Sequence, residues 1–129
     1  MALTDVLLEI SGRHHEAIAS LRQTHPTGGA LKGAIGDHHL AMARESCEAI
    51  AEDFITAHLN SNAGPPTDTE LADIQRRLED TVRQCENPVG YYLPASTNMQ
   101  FPYVVPSIMA KIRKALVGLK AKDRIGFRA

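Results

Sequence analysis

Apolar residues recur at spacings of three and four along most of this chain, and that period predicts helices. Val6, Leu7, Ile10, His14, Ala17, Ile18 and Leu21 fall on one face of a helix over residues 4–23. Thr4 is placed to cap its free N–H groups, and Asp5 to complement the positive end of its dipole. His25-Pro26 ends it, because the residue before a proline is driven out of the helical region. Leu40, Ala43, Cys47, Ile50, Phe54 and then Ala57 or His58 form the seam of a second helix over 38–60, with Asp37 as its N-cap. Residues 27–36 hold four of the nine glycines. Each costs a helix roughly 1 kcal/mol against alanine, so this stretch reads as a joint between helices. The third helix, over 67–85, has the strongest start. Thr67 and Glu70 have the spacing of a capping box, and Leu71, Ile74, Leu78, Val82 and Cys85 then form a narrow stripe of the coiled-coil kind.

The period fails over residues 86–106, which contain four of the seven prolines and four of the six aromatic residues. Four prolines in so short a stretch forbid a continuous helix, and the aromatic content argues for an extended segment lying along a surface, its own or a partner's. Pro106 suits the first turn of a last helix over about 106–122, followed by a tail. In that helix Ile108, Met109, Ile112, Ala115, Leu116 and Leu119 share one side, and lysines and arginine fill the other. The fold class is therefore all-α: a three- to four-helix bundle with a long extended Pro/aromatic-rich segment before a basic C-terminal helix. Residues 1–86 read as a self-sufficient helical body, and 87–129 as an arm, a basic helix and a tail.

Composition narrows this. The chain has 129 residues, the size of one domain, and its 43% hydrophobic content excludes wholesale disorder. With no Trp and only six Phe and Tyr, the core has to be built from Leu, Ile, Val and Ala. No apolar run is long enough for a membrane helix and the N-terminus lacks the pattern of a secretory signal, so the expected setting is the cytoplasm or a particle assembled there. Cys47 and Cys85 fit no metal-ligand spacing and both lie on apolar faces, which predicts buried free thiols. The net charge of −1 conceals a division: residues 1–110 are net −7 and residues 111–129 are net +6.

Six histidines are the main candidates for chemistry. His14, His38 and His58 can face between helices, and Glu45 and Glu52 share a helix stripe with His38. Together these five are the candidate ligands of an interhelical metal site of the kind helical bundles hold. There is no Glu-x-x-His pair, and the His-His-Glu at 14–16 lacks the spacings of hemerythrin-like domains. His15, His25 and His39 read as surface or loop residues. Gly28 and Gly33 have P-loop spacing, but Ala34 and Ile35 stand where Lys and Ser or Thr are required. No nucleophile elbow or paired carboxylates appear, so the expectation is a protein without enzymatic activity and without a cofactor.

The favoured reading is an assembly or adaptor subunit that self-associates or docks on a larger complex. Tyr91, Tyr92, Phe101 and Tyr103 of the arm are its candidate partner-binding residues, together with Lys111, Arg113, Lys114, Lys120, Lys122, Arg124 and Arg128. Connector proteins of phage particles use a similar plan at the level of architecture, as virion components. A His/Glu metal-binding bundle is the first alternative. Nucleic-acid or membrane-surface binding through residues 111–128 is the second.

Overall fold

The computed structural model describes residues 2–24, 29–61, 64–86 and 99–128. Among them are four α-helices and no strand: α1 (Leu3–Thr24), α2 (Gly29–Leu59), α3 (Asp68–Glu86) and α4 (Val104–Arg128), with a 3-10 turn at Phe101–Tyr103 leading into α4. The all-α class is thus established. The extended arm expected over 87–98 lies outside the described residues.

Helix α1 buries the face its period marks. Ile10, His14 and Ile18 are buried, and Val6, Leu7, Ala17 and Leu21 are half-buried. Gly12 is on the exposed side, with open space where a Cβ would sit.

Helix α2 differs from expectation at its start. It begins at Gly29 rather than 38, so Asp37 stands inside the helix and not at its cap. The glycines lower helix propensity without forbidding the helix, and packing of α2 against three other helices outweighs the loss. Leu40, Ala43, Cys47 and Ile50 are buried as the seam requires, but so are Gly36, His39, Met42, Ser46 and Ala51. The middle of α2 is enclosed on more than one side, which makes it the central helix.

Helix α3 matches its sequence signals most closely. The Thr67 N–H donates to Glu70 Oε1 at 2.9 Å and the Glu70 N–H to Thr67 Oγ1 at 3.1 Å, which is the reciprocal capping box. The Thr67 backbone bond comes first among the contacts that hold the Glu70 carboxyl below its ordinary value. Ile74, Leu78, Val82 and Cys85 are buried, and the other residues from 68 to 84 are exposed or half-buried.

Helix α4 starts two residues before the position expected, and its backbone stays helical to Arg128, where a tail was expected from 123. Val104, Val105, Ile108, Met109, Ile112 and Leu116 are buried, while Ala115 is exposed. Phe101 is 1% exposed, so its ring belongs to the chain's own core. Arg44 on α2 donates to Gln100 Oε1 at 3.3 Å and ties the turn before α4 to the central helix.

The core is therefore centred where α2, α3 and α4 meet, and α1 adds Ile10 to the same apolar cluster, with Leu3, Val6 and Leu7 packed against it. At its centre the Cys47 thiol lies 3.8 Å from the Leu78 carbonyl oxygen. Burial, reinforced by Cys85 and Glu48, pushes that thiol up to about 12. Burial also raises Cys85, and both cysteines are free thiols. Helix α1 packs chiefly on α2, as the outer member of the bundle. No helix is long and apolar enough to cross a membrane among the described residues.

Candidate functional site

The polar chemistry of the molecule gathers where α1 crosses α2. A short link joins the two helices as a hairpin, so residues equidistant from it face each other. His14 and His38 stand twelve residues to either side of Pro26. Their Nδ1 atoms are 2.9 Å apart, and their rings meet edge to face with centroids 5.1 Å apart. His14 Nε2 bonds Glu45 Oε2 on α2, and Arg13 Nη2 reaches the same oxygen at 3.1 Å. His14 is 5% exposed, whereas Arg13 and Glu45 lie toward solvent.

The bonding fixes where protons sit. A carboxylate only accepts, so His14 Nε2–H donates to Glu45. When both rings are neutral, His14 Nδ1 accepts from His38 Nδ1–H. When His14 is an imidazolium, its Nδ1–H donates to His38 Nδ1. In both states one proton lies between the two rings. Partial burial raises the Glu45 carboxyl, but hydrogen bonds from His14 and Arg13, with their positive charge, outweigh it and hold it below the ordinary carboxylate value.

On the other flank of the same seam the neighbouring residues, His15 and His39, line a cleft of about 380 Å³ between α1, α2 and α3. Exposed His15 takes its Nδ1 to Ser11 Oγ at 3.2 Å. His39 is 6% exposed, which corrects the expectation of a surface residue. Its ring bonds the Cys85 backbone on α3, and its Nδ1 is buried without a partner. Burial lowers its pKa first, followed by the charges of His15, Arg22 and His38, and the Cys85 bond opposes them. The two His-His pairs, 14–15 and 38–39, thus interlock as one histidine seam. The sequence signal for it was there in the paired spelling and the equal distance from Pro26. The sequence alone groups His14 and His38 with Glu45 between the helices but leaves His15 and His39 as surface or loop residues.

Of the five candidate metal ligands, His14, His38 and Glu45 come together and the other two do not. His58 stacks on Phe54 at 4.4 Å and bonds the Phe54 carbonyl at 3.1 Å and Glu70 Oε2 at 3.3 Å. Glu52 is exposed further along α2. Glu45, His14 and His38 form a line of hydrogen bonds, with both His14 nitrogens used by the other two side chains. Among the described residues no group of three His, Cys, Asp or Glu is arranged to hold a metal ion.

The candidate partner-binding residues divide differently. Lys111, Arg113 and Lys114 are exposed on α4, and Tyr103 is 72% exposed. Phe101 is buried in the core and reaches outward only as part of a groove floor. Tyr91 and Tyr92 lie outside the described residues, as do the side chains of Lys120, Lys122, Arg124 and Arg128. Beside the exposed cations a groove of about 460 Å³ runs between α3 and α4, floored by Val82, Phe101, Val105 and Met109 with Arg113 on its rim. No family model, curated protein or solved structure matches this chain.

Proposed function

We propose that this chain is a non-catalytic assembly subunit that self-associates through complementary charged helix faces. The observation that carries the reading is a pair of opposite, unspent surfaces. Lys111, Arg113 and Lys114 are exposed on α4, and Glu48, Glu52 and Asp53 are exposed on α2. None of the six makes an ion pair within the chain among the described residues. The contact is heterologous, since different patches meet, and such contacts build rings or filaments of copies. Exposed Val117 and Tyr103, with the α3–α4 groove, add apolar area beside the basic face.

The test is solution mass by sedimentation equilibrium at micromolar concentration, at about 50 mM and about 500 mM salt, since exposed charges are screened over a Debye length that shrinks with salt. The expected result is an oligomer at low salt that dissociates at high salt. Reversing Lys111, Arg113 and Lys114 to Glu should give a monomer, and reversing Glu48, Glu52 and Asp53 to Lys in the same chain should restore the oligomer. A monomer at low salt overturns the reading. Tight retention of that monomer on a DNA duplex would assign the basic face to nucleic acid instead.

A further inference from the structure

We infer that the histidine seam between α1 and α2 is an acid-operated latch that releases α1 from the rest of the bundle. The inference rests on geometry and on a count of charges. His14 and His38 present Nδ1 to Nδ1 at 2.9 Å, a spacing that holds one proton and not two. One added proton is accommodated, because His14 then donates to both Glu45 and His38. A second puts an N–H against an N–H, and the hydrogen bond between the helices becomes a repulsion.

The second flank adds to this. His39 is buried, with Nδ1 unpartnered, so a proton added there has no hydrogen-bond acceptor in the closed seam. His15 faces the same cleft. Around the four rings, α1 contributes the positive Arg13 and Arg22, α2 contributes the negative Glu45, and α3 contributes the uncharged Thr81, Gln84 and Cys85. Glu45 is the one carboxylate bonded to any of the four rings among the described residues. As histidines charge between about pH 7 and 5, the seam therefore gains positive charge that one carboxylate cannot balance.

The consequence stays local because of the packing. Helix α1 leans chiefly on α2 and gives the apolar cluster one buried side chain, Ile10, while α2, α3 and α4 supply the rest of it around Leu78 and Ile112. When α1 parts, it uncovers the apolar side chains that it and α2 had buried between them, such as Ile10 and Met42. Acid thus exchanges a closed four-helix state for a three-helix core with an exposed apolar face, a two-state element biased by protonation.

The experiment is amide hydrogen exchange on the full chain at pH 7.5 and 5.0, at fixed ionic strength, corrected for intrinsic rates and run where solution mass is the same at both pH values. The expected result is a loss of protection of about tenfold or more across residues 5–22, with about twofold or less across 74–85 and 104–116. His38→Gln offers His14 an amide whose NH2 donates to Nδ1 when His14 is neutral and whose carbonyl oxygen accepts from Nδ1–H when it is charged, so α1 should keep most of its protection at pH 5.0. His15→Gln, at an exposed position, should reduce the response independently and decides the matter if the first variant folds poorly. Unchanged α1 protection at pH 5.0, an equal loss in all four helices, or a wild-type response in the folded variants would overturn the latch.

Discussion

The two sides of α2 are built on opposite principles. Toward α3 and α4 it presents Ala43, Cys47 and Ile50 to a dry core, in which burial holds even the thiols protonated. Toward α1 it presents His38, His39 and Glu45 to a seam closed by hydrogen bonds as well as apolar contact. Around Leu78 the first side is apolar, so its stability there is set by packed volume, and its histidine, His58, pairs with Glu70 of α3 at the far end of the helix. The second is lined by four histidines, His38 and His39 of α2 with His14 and His15 of α1, and on the latch proposal its strength follows the proton concentration. One helix thereby joins a permanent half to a conditional half.

The largest effect that tests this contrast is a cavity in the permanent half. Leu78 is fully buried beside Cys47. Leu78→Ala should cost about 2–5 kcal/mol, read as a fall in urea midpoint, because the site loses both transfer energy and contacts around the void. The loss should be the same at pH 7.5 and 5.5. A cost that depended on pH would mean that the core and the seam are one unit, and the comparison would fail.

How much of each half is visible in the sequence follows the same division. Helix α3 can be read almost completely, since its capping box and single stripe are local signals and its outer face is polar. Helix α2 is misread at its start because Gly33 and Gly36 resemble a joint. That His14, His38 and Glu45 meet between helices is legible from their helix faces, but the Nδ1-to-Nδ1 contact depends on how one helix crosses another, which no local period encodes. His39 looks like a surface residue beside His38 until the register of α3 places the Cys85 carbonyl over it. Phe101 looks like part of an arm because proline neighbours mask a single 3-10 turn that turns it inward.

A smaller effect should appear in the acid dependence of the conditional half. The His39 pKa in the folded chain lies below its ordinary value of 6.5, so the folded state binds fewer protons than the unfolded one. Stability therefore falls as pH drops through 6.5 toward the lowered value, and is insensitive to His39 above that window. Glu45 is also lowered, from 4.5, and its contribution is lost only as pH falls below 4.5 through the folded value. Urea midpoints should accordingly decline in two separate stages. His39→Gln should flatten the upper stage and leave the lower one, and a variant with the wild-type slope between pH 7 and 5 would remove His39 from the account.

The smallest effect sharpens where the seam draws its strength. Arg13 bonds Glu45 at 3.1 Å, but it is 57% exposed and Glu45 38%, so solvent screens the pair. Arg13→Gln should cost about 0–1 kcal/mol at low salt, and less at high salt. Its value lies in what it leaves standing. If Glu45 is held mainly by buried His14, the lower acid stage should shift little when Arg13 is removed, whereas His14→Gln should move it upward toward the ordinary carboxylate value. The reverse order, with Arg13 dominant, would place the hold on Glu45 at the surface. The buried histidine would then depend on the carboxylate for its orientation without supplying the force that keeps the carboxylate charged.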